Sequence, residues 1–417
     1  MEIDQLRIMD ESFFNKMISV LYIHHSGTFG GASRSLLEMI NGFPEGSVKA
    51  HLIVQNGNVV KILEEMGLPF IQTRGISQFD NTRYGHYRGV RWLLLIREFF
   101  YIPFTLSSIF RAKRIWKNID LVHVNEVTML LPLILAKLIF KKPVIVHMRS
   151  VQNNEGILVS AIVGFVLRGF ADRVIAIDHT VANSAKCLVQ DVVHNGFSPK
   201  GSVGDKESIN PLNHLSSNSL KVAMVGNPLP SKGSYDFLEA AYICKQKRLD
   251  VDFVIIGGRV RQLTGPIGFL LKKLNFAKDV MGDLTRYILE HGLQNNVHFF
   301  PVTTNIRPFY ENIDVVCFPS HLNAVGRPVF EAAFSKVPSI IAIRNPLEDT
   351  FINNQTGIQI DEKNPTSLVR AIEYFCSYPD EILRMGNGAY ELAMKNFDSK
   401  KNSAFIVKIY KEILGIT

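Results

Sequence analysis

The chain is poor in cysteine. Only four of its 417 residues are cysteine (Cys187, Cys244, Cys317 and Cys376), scattered with no Cys-x-x-Cys pair and no Cys/His spacing suited to zinc. That excludes a disulfide scaffold and fits a reducing compartment. Long apolar runs are missing too. The greasiest stretches are Trp92–Phe110 (interrupted by Arg97, Glu98 and Pro103), Thr128–Phe140 and Ile157–Phe170. None supplies the roughly 20 uninterrupted apolar residues of a spanning helix, so the expectation is a soluble or membrane-associated protein and not an integral one. Residues 1–16 carry Asp4, Arg7, Asp10 and Glu11 and lack an apolar core, so they read as a loose extension or a misassigned start, not a secretory signal. Repeats and low-complexity tracts are absent as well.

What is present is an ordinary globular composition, 47% hydrophobic and 20% charged, in a chain long enough for two or three cores. The formal net charge of +8 is unevenly spread. Nine basic residues stand between Arg74 and Lys117, among them Arg83, Arg88, Arg91, Arg111, Lys113 and Arg114, against only Asp80 and Glu98. A basic, aromatic-rich stretch beside an apolar one suits an anionic lipid surface. The same run also reads as a solvated helix face. No stacking or groove-reading motif accompanies the charge, which speaks against nucleic acid.

From Met17 onward short apolar runs alternate with helix-length amphipathic segments. The runs Ile18–His24, His51–Val54, Phe70–Thr73, Leu121–Val124, Val144–His147 and Arg173–Ile177 are Val/Ile-rich and nearly continuous, as buried parallel strands are. Residues 199–219 are polar, aperiodic and rich in Pro, Gly, Ser and Asn, which marks a linker. Alternation restarts with strands at Lys221–Val225, Phe253–Ile256, Val297–Phe300, Val315–Phe318 and Ile340–Ile343, and helices at Ser234–Lys247, Asp283–Gly292, Pro328–Ser335 and Pro365–Ser377. The pattern predicts an α/β protein of two Rossmann-like, doubly wound domains: an extension at 1–17, a first domain at 18–198, a linker at 199–219 and a second domain at 220–395. Ligands of such sheets sit beyond the strand carboxyl ends, and with two domains the natural site is the cleft between them.

Three segments can carry chemistry. Ser26–Arg34 (SGTFGGASR) follows the first strand and opens a helix, so its glycines and free N–H groups suit a phosphate. It is not G-x-G-x-x-G, and a merely tight strand–helix turn is the competing reading. Val225–Gly233 (VGNPLPSKG) opens the second domain in the same way, with Lys232 able to reach a diphosphate. Phe318–Pro319–Ser320 and then Gly326–Ala333 (GRPVFEAA) end a strand and open a helix with Glu331 near its start. There Glu331 can hold two ribose hydroxyls, or serve only to match the helix dipole. Other combinations are weaker. Asp250-Val251-Asp252 has the look of a metal-binding DxD but enters a strand on the side away from ligands. His24-His25 lacks neighbouring ligands, and Asp178, His179 and Ser184 lack a nucleophile elbow.

The stretch FPSHLNAVGRPVFEAAFSKVPSIIA resembles the most recognisable segment of glycosyltransferase family 4, the retaining enzymes of GT-B fold. The family pattern is roughly PS-x-x-E-x-x-G-x-x-x-x-E-A. GGASR after the first strand, VIVHMRS, Val193-His194-Asn195-Gly196 and VGxxxPxKG extend the resemblance over about residues 17–400. It implies that Gly30 and Gly31 approach the donor phosphates, His147 contacts the donor sugar and Lys232 neutralises the diphosphate. Glu331 would bind the nucleotide ribose, with Gly226 and Asn227, and Gly326, Arg327, Pro328 and Val329, forming the loops under the phosphates. Val302 and Thr303 fall in the region that touches the base. Two positions depart from the pattern: Asn323 stands where the first Glu of the spaced pair belongs, and Asn227 where a basic residue follows the glycine. Asn323 keeps a hydrogen bond to a sugar but no charge, and Arg327 could restore the missing cation as a phosphate fork.

The resemblance therefore implies a retaining glycosyltransferase taking a sugar from a UDP- or GDP-linked donor, with no metal, no protein nucleophile and no cofactor other than that donor substrate. Its carboxyl-terminal stretch Asn396–Leu414 is expected to cross back, so that residues 396–417 pack on the first domain. The basic window suggests a saccharide acceptor carried on lipid, in the assembly of surface polysaccharide, lipopolysaccharide or another glycan. The protein would then be cytoplasmic and peripheral at the inner face of the cell membrane. Two alternatives stay open: a nucleotide-sugar epimerase on the same fold, and a non-catalytic nucleotide-sugar-binding scaffold.

Overall fold

Continuous apolar runs become parallel strands in both halves of the chain. A computed structural model describes residues 17–83, 92–153, 156–185, 188–198, 210–257, 279–303, 305–322 and 324–416. The chain divides into two compact units, Met1–Ser198 with Phe397–Thr417 and Pro199–Asn396. Arg88, Arg91 and Asn323 lie outside the described residues.

The first unit runs β1 (Ile18–His24), α1 (Gly31–Asn41), β2 (Val48–Gln55), α2 (Val59–Glu65), β3 (Phe70–Thr73), α3 (Leu94–Ile115), β4 (Leu121–Val124), α4 (Leu130–Phe140), β5 (Val144–Met148), α5 (Ile157–Phe170), β6 (Arg173–Ala176), α6 (His179–Ser184) and β7 (Asp191–Val192). Its strands form one parallel sheet in the order β3-β2-β1-β4-β5-β6-β7. Successive side chains of a strand point to opposite faces. Leu21 and Ile23 of β1 therefore join a core with α3, α4 and α5, while Val20 and Tyr22 pack on the other face with Leu36 and Leu37 of α1.

The second unit runs β8 (Leu220–Val225), α7 (Ser234–Gln246), β9 (Val251–Ile256), α8 (Val280–Glu290), β10 (Val297–Phe300), α9 (Arg307–Tyr310), β11 (Val315–Phe318), α10 (Arg327–Ala333), β12 (Ser339–Ile341), β13 (Gly357–Gln359), α11 (Pro365–Ser377) and α12 (Asp380–Asn396). The order β10-β9-β8-β11-β12-β13 repeats the design of the first sheet, again all parallel. The expected doubly wound α/β architecture is thus the observed one. The last helix, α13 (Ser399–Leu414), belongs to the first unit, where Ile406, Ile409 and Tyr410 complete the core beside α1.

The structure adds detail at several points. The helical stretch expected from Asn396 is broken at Phe397–Asp398, because Asp398 accepts from the Lys401 N–H and caps a new helix. Helix α8 starts at Val280 and not at Asp283, since Asp279 caps it through the Gly282 N–H. Of the expected linker, residues 210–219 are mostly exposed but anchored: Leu212 is buried in a core with Ala223, Val254 and Val316. An apolar side chain every few residues is enough to fold a polar stretch onto a sheet.

Candidate functional site

In each sheet the strand order reverses between two central strands, β1/β4 in the first unit and β8/β11 in the second. Loops diverge at such a switch point and leave a crevice beyond the strand carboxyl ends.

In the second unit the β8 loop is held against the β11 loop. Gly226 has φ +114° and Gly233 φ +75°, and a Cβ on Gly233 would stand 1.9 Å from the Pro319 carbonyl oxygen, so only glycine allows the approach. The His321 N–H donates to the Ser231 carbonyl (3.0 Å), and the His321 ring meets Asp236 of α7 at 2.6 Å. Between them the turn Pro230–Lys232 carries Lys232 back over Gly226: its Nζ lies 3.1 Å from the place a Cβ would occupy there. Burial pushes the Lys232 ammonium below its ordinary value, the state of a cation short of water. Asn227 is exposed beside it.

Helix α10 opens from Gly326, whose extended backbone lies against the Phe318 ring, with Pro328 in its first turn. Arg327 and Pro328 are half-buried and Val329 is buried. The helix begins at Arg327, so Glu331 lies past the first turn and has no dipole to match; it points inward at 2% exposure. Its carboxylate accepts from Arg327 Nε at 2.7 Å and from the Tyr310 hydroxyl at 3.0 Å. Arg327 also spans the Phe330 ring at 5.2 Å, so its guanidinium is tied down on two sides. Val302 and Thr303 follow β10, and β9 separates that strand from β8 and Lys232. Val302 is exposed, while the Thr303 hydroxyl is engaged by Asn305. Asn323, in the loop before Gly326, lies outside the described residues. The structure brings together Gly226, Asn227 and Lys232 in one loop, and Arg327 and Glu331 in one ion pair. Tyr310, Asp236 and His321 are the partners sequence reading missed, since each is remote in the chain from the residue it holds.

In the first unit Gly27 packs so tightly on the Asn56–Gly57 backbone that a Cβ would meet Asn56 O at 2.0 Å. This fixes the loop that ends at Gly30 and Gly31, both exposed at the start of α1. Behind it lies a polar network centred on Arg149, which follows β5. Arg149 donates to Asn125 (2.8 Å) and Asn195 (2.7 Å). Asn125 meets His24 at 2.9 Å, and His24 meets Ser33 of α1 at 2.9 Å. His147 is buried on the α1 face of the sheet, 3.4 Å from Arg149 through Nδ1, with Nε2 unpartnered among the described residues. Burial holds His147 and His24 well below the ordinary imidazole value, helped by the Arg149 charge at His147 and by His25 and then Arg149 at His24. Arg149 was not singled out by the sequence, although VIVHMRS contains it; its only signal was a cation directly after a buried strand.

Beside this network lies a cavity of about 270 Å³ lined by His25, Asp80, Arg97, Glu98, Glu126 and Ser150, among others. Glu126 is buried and accepts from the Val127 N–H and the Ser150 hydroxyl, and burial raises its carboxyl above the ordinary value. His25 is lowered to about 4 by burial and by Arg149, with its Nδ1 unpartnered among the described residues. The cavity is thus rich in acceptors and poor in net positive charge, a lining suited to hydroxyl groups.

The remaining sequence candidates have structural partners. Asp252 is engaged by Ser219 and His298 at the entry of β9. Asp178 caps α6, and Ser184 is held by the Val181 carbonyl and the Gln152 N–H. Arg83 is exposed after β3, and Arg111, Lys113 and Arg114 lie in the last turns of α3. Among the described residues no helix is long and apolar enough to cross a membrane.

Comparison with known proteins places both units. The family model described as Glycosyltransferase Family 4 matches residues 29–200, and that of Glycosyl transferases group 1 matches residues 205–392. No curated protein matches the chain in sequence. Among solved structures, Anabaena HepE in complex with UDP-glucose is similar at 18% identity and TM-score 0.73, covering 95% of this chain and 100% of that one. The glycosyltransferase of Rickettsia africae matches at 18% identity and TM-score 0.70, covering 96% and 100%. Sucrose-phosphate synthase of Thermosynechococcus elongatus matches at 15% and 0.71, covering 96% and 100%. With one sheet matched by each family model and the whole two-unit fold by these structures, the chain belongs to the glycosyltransferases of family 4 and group 1, of GT-B fold.

Proposed function

We propose that the protein is a retaining glycosyltransferase that takes a sugar from a UDP-linked donor and passes it to a hydroxyl of a saccharide carried on lipid. The observation that carries the reading is Lys232, a half-buried ammonium folded over Gly226 at the switch point of the second sheet. A desolvated cation at that place is matched by a diphosphate, whose charge grows as it departs. The Anabaena relative binds UDP and UDP-glucose, which favours uridine as the base.

In this reading Glu331, already oriented by Arg327 and Tyr310, offers remaining lone pairs to the ribose. The bond from the anomeric carbon to the diphosphate oxygen breaks, and a bond to the acceptor oxygen forms on the same face. The acceptor proton passes to the departing phosphate oxygen, so neither a protein nucleophile nor a metal ion is required. Gly30 and Gly31 open α1, whose start suits an anionic group, and the hydroxyl-accepting cavity beside His25 and Glu126 in the same unit receives the acceptor sugar. The protein acts in the cytoplasm, peripheral to the membrane, in assembly of a surface glycan.

The test is a melting panel with UDP, GDP and ADP on the wild type, Lys232→Met and Glu331→Gln. UDP should stabilise the wild type, and Lys232→Met should weaken that binding roughly 10- to 100-fold through loss of a charge-assisted contact. A protein indifferent to all three nucleotides, or a Lys232→Met variant that binds UDP as well as wild type, rules the reading out. UDP binding without turnover on any acceptor extract would favour the scaffold alternative, which the neutral Asn227 makes worth testing.

A further inference from the structure

Helices α3, α4 and α5 lie side by side on one face of the first sheet. Their inner sides supply Ile109, Leu133 and Val163 to the core. An amphipathic surface helix turns its polar side outward, but here the outward side is apolar again. Helix α3 exposes Phe99, Phe100 and Phe110, α4 exposes Leu138, and α5 exposes Leu158 and Phe165. The exposures are high: 71% for Phe99, 74% for Leu158 and 71% for Phe165. Large apolar side chains exposed on three neighbouring helices mark an interaction site.

The charges around it are mostly basic, the exception being Asp172 just past α5, which is paired with Lys137 of α4. Arg111 and Arg114 lie on α3, Lys117 just beyond it, Lys141 and Lys142 after α4, and Arg168 on α5, all exposed. The three helices contain a single carboxylate, Glu98, and it is buried, accepting from the Gln78 N–H and from Arg97. An ordinary solvated face intersperses acids with its lysines. This arrangement differs from the basic window read in the sequence: Arg83 lies outside the three helices, and two thirds of the helices involved come from other segments of the chain.

We propose that the α3–α4–α5 face of the first unit docks on an anionic lipid bilayer. The phenylalanine and leucine side chains enter the interfacial layer, and the surrounding cations meet the headgroups. The inference rests on the proposed lipid-borne acceptor for its purpose, since docking would bring the enzyme to its substrate, but the binding is measurable without sugar transfer.

The experiment is co-sedimentation of the full chain with vesicles of phosphatidylcholine alone and of phosphatidylcholine mixed with phosphatidylglycerol. The wild type should bind the mixed vesicles at low salt, less so as salt rises, and the neutral vesicles weakly. Phe99→Glu/Phe165→Glu alters only exposed positions and should cut partitioning at least roughly tenfold, while its melting temperature and its response to UDP stay those of the wild type. No binding to the mixed vesicles at low salt overturns the proposal, as does a double variant that binds like the wild type. A wild type that dimerises in solution while the double variant is monomeric also overturns it, assigning the face to a second copy. A wild type that is stabilised by UDP yet does not bind the mixed vesicles separates failure of this inference from failure of the glycosyltransferase reading.

Discussion

Replacing Glu331 with alanine removes one acceptor from two buried donors. The carboxylate stands 2.7 Å from Arg327 Nε and 3.0 Å from the Tyr310 hydroxyl, with the two side chains of the ion pair at 3% and 11% exposure. Breaking such a pair from one side costs about 3–5 kcal/mol, because the remaining charge stays out of water. For a unit of this size that is a fall of roughly 6–20 °C in its melting temperature. Glu331→Gln keeps an oxygen and most of the packing, so its loss should be smaller. Replacing both partners, as in Arg327→Met/Glu331→Leu, should restore part of the stability lost by Glu331→Ala, since no unpaired ion is then buried. Urea unfolding of the four proteins, each with and without UDP, reads all of this. A Glu331→Ala loss below about 1 kcal/mol, or a double variant no more stable than Glu331→Ala, would refute the buried-pair argument. The series also settles which variant reports on the donor: Glu331→Ala confounds lost binding with lost folding, whereas Glu331→Gln separates them.

Acid should weaken the first unit in a defined window. His25 is held at about 4 and His123 at about 3, both by burial and then by the Arg149 charge. An unfolded histidine titrates near its ordinary value of ~6.5, so below that pH the unfolded chain takes up protons that the folded one refuses. Stability should therefore fall as pH drops from about 6.5 toward 4, by up to about 1.4 kcal/mol per pH unit for each ring. Glu126, raised by burial, works in the opposite sense. Histidine resonances assigned by His25→Gln and His123→Gln should not titrate between pH 7.5 and 5; a midpoint near 6.5 for either ring contradicts its burial. Tyr410→Phe should lower stability by about 1–3 kcal/mol, because that hydroxyl meets both Tyr22 (3.0 Å) and His123 (2.7 Å) in the core. In urea unfolding, adding Tyr22→Phe should then subtract less than it does alone; full additivity would mean the three groups are not linked.

Much of the fold was legible because buried parallel strands are chemically monotonous. Ile18–His24, Phe70–Thr73, Leu121–Val124, Val297–Phe300 and Val315–Phe318 can be read to the residue, being short segments rich in aliphatic or aromatic side chains bounded by polar turns. Pro365 after Asn364 likewise marks the start of α11 as a capped helix with proline in its first turn. The edge strands β7 (Asp191–Val192) and β13 (Gly357–Gln359) were not legible. Two or three residues carry no periodicity, and such strands exist only because a neighbouring strand offers them a ladder.

The site divides along the same line. Residues adjacent in sequence, such as Gly226, Asn227 and Lys232 or Gly326 through Glu331, determined by themselves that a strand–turn–helix loop with a cation and a carboxylate would stand at the head of a sheet. Their order and spacing carried the family. Only the tertiary structure decided what those groups touch: that Glu331 turns inward to Tyr310, that Lys232 folds over Gly226, and that Arg149 collects Asn125, His147 and Asn195 from three separate strand ends. It alone also set Phe99, Leu138 and Phe165 on neighbouring helices of one face. The reason is physical. Local sequence sets backbone conformation and which side of an element is apolar, whereas hydrogen-bond partners and burial depend on which elements the sheet brings side by side.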